Sequence, residues 1–291
     1  MGKHAYLIMA HNEFDLLSKL IEELDYPLND IYIHVDRKAK GFNEYELNTH
    51  GKYSKIFYVD RMPIIWGGES QIKCEIELFR AAVKGEYQYY HLISGHDYPI
   101  RSQREIHDFF DQNSGKEFIE YWDRDRKKYE YRIRYYYPFQ EKIGRYTNDF
   151  KTLCFRIISK IFVAVQVIGR VNRIQEYGKE IRIGAQWVSI THPMVKYLLD
   201  NEQIIKQIFF KGVAADELFV QTLCWNSPYI KNIYPGGNLR LIDWKRGAPY
   251  VWQEKDFQEI VDSKCLFVRK VSSSNRLIEM IHEYIDRNGS I

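Results

Sequence analysis

The feature that most constrains this chain is its alternation of short apolar runs with stretches of helical periodicity. Ala5-Tyr6-Leu7-Ile8-Met9-Ala10 is unbroken in the way a strand buried on both faces must be, and Phe14, Leu17, Leu20, Ile21 and Leu24 then recur at helical spacing. The pattern repeats. Ile31–Val35 ends at Asp36, Ile56–Val59 leads through Pro63 to Trp66-Gly67-Gly68, and Tyr89–Ile93 runs into Ser94-Gly95-His96-Asp97. Helices are predicted from about Glu69 to Val83 and from the capping box Ser102-x-x-Glu105. Such alternation predicts an α/β fold with a mostly parallel sheet flanked by helices.

Between 122 and 180 the pattern changes to a basic, tyrosine-rich stretch and then a helix over Leu153–Val171. We read this as an insertion within a single domain spanning 1–291. Strand-like Ala185–Ile190, helices after His192-Pro193 and after Asp216, and strand-like Cys265–Val268 then resume the sheet pattern.

Composition removes several function classes. With 42 basic and 39 acidic residues the net charge is +3, so no global field points to nucleic acid. Four cysteines lie far apart without C-x-x-C spacing, as buried thiols in a reducing compartment do. No signal-like leader and no apolar run near ~18 residues is visible, so the expected location is cytoplasmic. G-x-G-x-x-G and G-x-x-x-x-G-K-[ST] are both missing, and the nine histidines show no zinc spacing. Neither a cofactor nor a metal is expected.

In an open parallel sheet the ligand lies beyond the carboxyl ends of strands. Asp36, Trp66-Gly67-Gly68 and Ser94–Asp97 all follow strands, which predicts a shared cleft. Taken singly, the glycines read equally as turn residues and the aspartates as helix caps.

Four blocks then carry a resemblance: Ala5–His11, Ile33–Ala39, Trp66-Gly67-Gly68 and Ser94–Ile100. Gly184–Trp187, Ala215–Thr222, Leu239–Pro249 and Leu266–Lys270 extend it. In this order they resemble the core-2/I-branching and peptide xylosyltransferase enzymes over nearly the whole chain except about 122–180. The resemblance implies a GT-A-like (Rossmann-like) fold. It further implies transfer of a sugar from a UDP-sugar to an acceptor hydroxyl, with inversion and without the metal-binding D-x-D. It makes Asp36 a uracil or ribose contact, sets Ala10 and Gly67 along the nucleoside pocket, and puts Gly95 and Asp97 in the block beside the donor sugar.

Inverting transfer needs one general base, because an alcohol is a weak nucleophile at neutral pH. Glu217 matches the family glutamate and sits at a predicted helix N-terminus, with Asp216 as rival. The bland alternative makes Asp216 an N-cap and Glu217 an ordinary first-turn acid. Without a metal, charge developing on the leaving diphosphate needs fixed cations. Arg269 and Lys270 match the family's basic pair, and Arg240, Lys245 and Arg246 form a second basic group. Asp123-Arg124-Asp125 is literally a D-x-D, but it lies in a charged run to Arg134 that i,i+4 pairing explains.

Glu120, Trp122, Arg132 and Trp244 are the acceptor candidates, against the alternative of a solvated charged face. The basic, tyrosine-rich region hints at an anionic glycan or a lipid-linked acceptor. The helix within 153–171 reads either as core packing of the insertion, the commoner outcome, or as a peripheral contact with the inner face of a membrane. Gln186 stands where xylosyltransferases resemble one another in placing an acid, which leans the donor towards N-acetylglucosamine. Low cysteine and the lack of an anchor suggest bacterial surface-polysaccharide synthesis. A nucleic-acid surface is disfavoured by interleaved acids such as Asp125 and Glu130, and a non-catalytic sugar-nucleotide-binding protein by the retained glutamate and basic pair.

Overall fold

The structure is a computed structural model that describes residues 2–47, 51–144, 149–247, 249–274 and 276–289. The stretch read as an insertion therefore includes 145–148, which lie outside the described residues.

The main sheet has the order β3-β2-β1-β4-β6. Its strands are β1 (His4–Ala10), β2 (Asn29–Val35), β3 (Lys55–Tyr58), β4 (Tyr89–Ser94) and β6 (Ser189–Thr191). All pairings are parallel except β4 with β6. A second sheet of order β5-β8-β7 joins β5 (Asp97–Pro99), β7 (Arg240–Ile242) and β8 (Phe267–Arg269). The expected mixed α/β class is therefore present.

The apolar runs became central strands because both faces are covered. Ala5 and Leu7 of β1 join one core with Ile72, Phe79, Leu198 and Phe219, whereas Tyr6, Ile8 and Ala10 join the other with Leu17, Leu20, Ile106 and Ile281. Side chains alternate across a strand, so one uninterrupted apolar segment feeds two cores.

Predicted boundaries held best where a cap or an apolar run marks them. Ser102 and Glu105 form the capping box that starts the helix Gln103–Gln112, and Thr191 caps His192–Asp200. The strand expected over Ala185–Ile190 begins only at Ser189, and Glu117–Tyr121 contributes two isolated bridges. In the charged run, Arg126–Glu130 and Arg134–Glu130 form the expected i,i+4 pairs on the helix Lys127–Arg134.

Core packing of the 153–171 helix is overturned. Among the residues of the helix Phe150–Ile168 only Thr152 and Gln166 are buried, while Ile157, Ile161 and Val165 stand in solvent. No described helix is long and apolar enough to cross a membrane.

Candidate active site

A cavity of about 910 Å³ opens at the carboxyl ends of the central strands. Met9, Ala10 and His11 reach it from β1, His34 and Asp36 from β2, Ser94 from β4, and Arg269 and Lys270 from β8. Of the residues singled out from sequence, Ala10, Asp36, Trp122, Glu217, Trp244, Arg269 and Lys270 all line this one space. The proposed base and the proposed cations thus share a cleft.

Asp36 is held at the end of β2 by local bonds. Its N–H donates to the Ala10 carbonyl (2.9 Å), and its Oδ1 accepts from the Lys38 N–H (2.9 Å). Arg61 donates to the Val35, Asp36 and Ala39 carbonyls, pinning the turn. Behind Ala10 lies Gly95, whose N–H donates to the Met9 carbonyl (3.0 Å); a Cβ there would come within 3.4 Å of the Ala10 Cβ. Gly95 therefore packs two strand ends together and does not itself line the cavity.

Asp97 departs from its expected place beside the sugar. It is fully buried, accepts from the Ser94 N–H (3.1 Å) and pairs with Arg269 Nη1 (2.5 Å). Asp97 and Arg269 are direct partners in the antiparallel β5–β8 register, so the pair is built by strand geometry. The Arg269 guanidinium also donates to Ser94 Oγ and stacks 4.4 Å over the Trp187 ring. Asp97 is a positioning residue that holds Arg269 at the cavity wall.

Arg240 is the clearest correction. It is buried, and its guanidinium donates to the carbonyls of Asn238 (2.6 Å), Val188 (2.9 Å) and Leu92 (3.2 Å) and to Ser189 Oγ (3.1 Å). Burial lowers its pKa to about 10. It ties the two sheets together. Arg246 is likewise engaged, by Asp256 (2.9 Å) and Glu259 (3.0 Å), and neither it nor Lys245 lines the cavity.

Glu217 ends a 3-10 turn, Ala215–Glu217, rather than opening an α-helix. Arg132 Nη1 donates to its Oε2 (2.6 Å), so Arg132 braces the base candidate and is not at the cavity wall. Gly67 supports the same turn: its φ is +69°, and its carbonyl accepts from the Ala214 N–H (2.8 Å). Its neighbour Trp66, not Gly67, lines the cavity.

Asp216 does not cap the following helix. It is buried at the cavity floor, where Oδ2 accepts from Gln71 Nε2 (3.2 Å) and Oδ1 has no partner among the described residues. Burial first, and the Glu217 charge second, push its pKa up to about 7. Behind it Glu75 is fully buried, with Oε1 accepting from Gln186 Nε2 (2.8 Å). Burial and the Asp216 charge hold Glu75 well above the usual carboxylate range. Asp216 and Glu75 are therefore both harder to ionise than a carboxylate in water. Of the three acids in this row, half-buried Glu217 is paired with arginine and fully buried Glu75 favours its protonated form.

His11 and His34 also line the cavity, and burial lowers each to about pKa 4. Both are neutral at pH 7; His34 Nε2 accepts from the Met62 N–H (3.0 Å). Both stand at strand ends, and that position is the signal by which sequence reading could have found them. Gln71 and Glu75 carried another signal, polar residues four apart within the apolar stripe of the helix Glu69–Ala82.

On the acceptor side Trp122 and Trp244 line the cavity, but Glu120 does not. Glu120 accepts from Trp122 Nε1 (3.1 Å) and borders a separate pocket of about 480 Å³ beside Arg240. Neither carboxylate of Asp123-Arg124-Asp125 lines the cavity, and Asp125 Oδ1 accepts from the Lys127 N–H at the start of the next helix (3.0 Å). Among the described residues no group of three or more His, Cys, Asp or Glu is placed to hold a metal.

Against known proteins, a family model described as Core-2/I-Branching enzyme matches residues 4–265. The chain is 24% identical over 238 residues to Xylosyltransferase oxt of Drosophila pseudoobscura pseudoobscura, covering 78% of this chain and 24% of that protein. It is 21% identical over 251 residues to Xylosyltransferase 2 of Canis lupus familiaris, covering 83% of this chain and 26% of that protein. The chain thus spans about a quarter of the length of these curated relatives. The apo crystal structure of mouse Xyloside xylosyltransferase 1 aligns over 91% of this chain and 96% of its own at TM-score 0.39 and 11% identity, too slight a likeness to bear on the reading. With the model matching from His4 to Cys265, the chain belongs to the Core-2/I-Branching enzyme family.

Proposed function

We propose that this chain is an inverting glycosyltransferase that moves a sugar from a UDP-sugar to a glycan hydroxyl in surface-polysaccharide synthesis. The observation that supports this reading is the shared cavity, with Glu217 in the same space as Arg269 and Lys270. The acceptor O–H gives its proton to Glu217 as its oxygen bonds to sugar C1, and the C1–O bond to the diphosphate breaks with its electron pair going to UDP. Arg269 and Lys270 meet the charge that develops on the departing phosphate, the task a divalent ion performs elsewhere. Asp36 receives the nucleoside at the end of β2, and Trp122 and Trp244 offer aromatic faces to an acceptor sugar.

For the donor, Gln186 supports N-acetylglucosamine: a neutral amide that donates to Glu75 stands where the xylosyltransferases resemble one another in placing an acid. The second reading, xylose, is supported by the names of the relatives. A screen of UDP-GlcNAc, UDP-Xyl, UDP-Gal and UDP-Glc by thermal shift and hydrolysis separates them. Glu217→Gln is expected to abolish turnover and leave UDP-sugar binding intact; unchanged turnover removes Glu217 from its role. Turnover in excess EDTA is expected to equal that without it, and loss restored by Mn²⁺ overturns the metal-free scheme.

A further inference from the structure

Among the described residues, the helix Phe150–Ile168 is held from one side only. Gln166 accepts from the Tyr136 N–H (2.8 Å) and donates to its carbonyl (2.9 Å), and Phe155 stacks on Phe139 with centroids 5.8 Å apart. At ~100° per residue, Phe150, Leu153, Ile157, Ile161, Val165 and Ile168 fall together on the opposite side. Every one of them is at least half exposed, Phe150 and Ile168 at 82%. A water-facing surface seldom carries such a row uncovered.

The charges around the row say what covers it. Between Phe150 and Gln175 there is no Asp or Glu, while Lys151, Arg156, Lys160 and Arg170 are all cationic. On the helical wheel Lys151 borders the apolar row on one side and Arg156 and Lys160 border it on the other. Cations on both margins of an exposed apolar stripe suit a helix lying in a bilayer interface, with aliphatic side chains in the acyl region and amines reaching anionic headgroups. A second copy of the chain on this face would set these cations against their own equivalents. Charge therefore favours an anionic lipid surface over self-association.

The helix also touches the active-site cavity. Thr152, on its inner side, lines that space together with Lys142, Ile143 and Gly144 of the segment packed beneath it. We propose that Phe150–Ile168 is an interfacial docking helix that binds anionic bilayers and presents the cavity to acceptors carried on lipid. The docking stands on the helix alone; the lipid-linked acceptor rests on the transferase reading.

The test is flotation of the full chain with vesicles of phosphatidylcholine, alone or mixed with phosphatidylglycerol. The protein is expected to float with the mixed vesicles, less so in high salt. The triple variant Ile157→Glu/Ile161→Glu/Val165→Glu is expected to lose at least about tenfold in partitioning. None of the three residues lines the cavity, so UDP affinity by calorimetry and the circular dichroism spectrum should match the wild type. The docking is overturned if the wild type fails to float, if the triple variant floats equally well, or if the wild type is a dimer that the variant converts to monomer without vesicle binding. Turnover on a vesicle-embedded lipid-linked acceptor should fall at least about tenfold in the triple variant, in step with the lost partitioning; undiminished turnover overturns the acceptor assignment. Vesicle binding without any donor turnover would sink the transferase reading and leave the docking helix standing.

Discussion

Asp97 and Arg269 face each other directly across the antiparallel β5–β8 pair, and the buried carboxylate accepts from the guanidinium at 2.5 Å. One residue lies behind the cavity wall and the other in it. The acid that sequence reading placed beside the donor sugar instead sets the direction of the cation proposed to receive the diphosphate.

Asp97→Asn should therefore act through Arg269. Breaking a buried ion pair costs on the order of 3 kcal/mol, or roughly 5–10 °C in melting temperature. UDP affinity at low temperature should fall at least about tenfold, as a mis-aimed guanidinium would require. Calorimetric titration of the folded variant is the check, and tighter UDP binding would mean that Asp97 restrains Arg269 without aiming it.

Arg240→Met should separate stability from binding. The substitution takes the guanidinium donor from the buried Asn238, Val188 and Leu92 carbonyls, of which Val188 keeps the Leu92 N–H (2.9 Å), at about 1–3 kcal/mol for each group left unsatisfied. Melting temperature should drop by several degrees while UDP affinity stays within about twofold. A large loss of affinity in the folded protein would return Arg240 to the phosphate site.

Arg132 holds Glu217 at 2.6 Å, so removing it should disorder the proposed base without touching the donor. Arg132→Gln is expected to lower kcat by about 10–100-fold with little change in the KM for the UDP-sugar. Arg132→Lys should recover part of the rate. Equal loss in both variants, with KM rising, would instead mean that Arg132 contacts a substrate.

Glu75 yields a pH-dependent prediction. Its folded-state pKa is raised by burial and by Asp216, so the folded protein binds a proton that the unfolded chain releases above its ordinary carboxylate range. That contribution is present at low pH and fades as pH rises towards the folded value, so the native glutamate becomes a growing liability. Glu75→Gln removes the titration. The melting temperature of the variant minus that of the wild type should become more positive between pH 5 and pH 8, by at least about 2 °C. A difference that is flat across this range would show that Glu75 does not titrate there.

How much of this was legible in the sequence differs between the frame and the site. Ala5–Ala10 and Tyr89–Ile93 were readable as buried strands because a strand covered on both faces has only apolar side chains to offer, a purely local signature. The strand-end rule led directly to Asp36 and Ser94, since in a parallel sheet those ends must face one side. Ser102 and Glu105 marked a helix start because capping is decided within four residues.

Partnership, by contrast, was decided only in three dimensions. Nothing local distinguishes Arg240, enclosed by backbone carbonyls, from Arg269, which reaches a cavity; both are arginines at short strands, and the folded surroundings alone enclose one and leave the other at the cavity wall. Arg132 and Glu217 lie 85 residues apart, so no spacing rule could pair them. The helix Phe150–Ile168 shows the same divide: its amphipathic character was written in the order of its residues, but which side would be left bare depended on what packed against Gln166 and Phe155. Backbone conformation follows from near neighbours, whereas the field around a charged group is made by residues that only folding brings together.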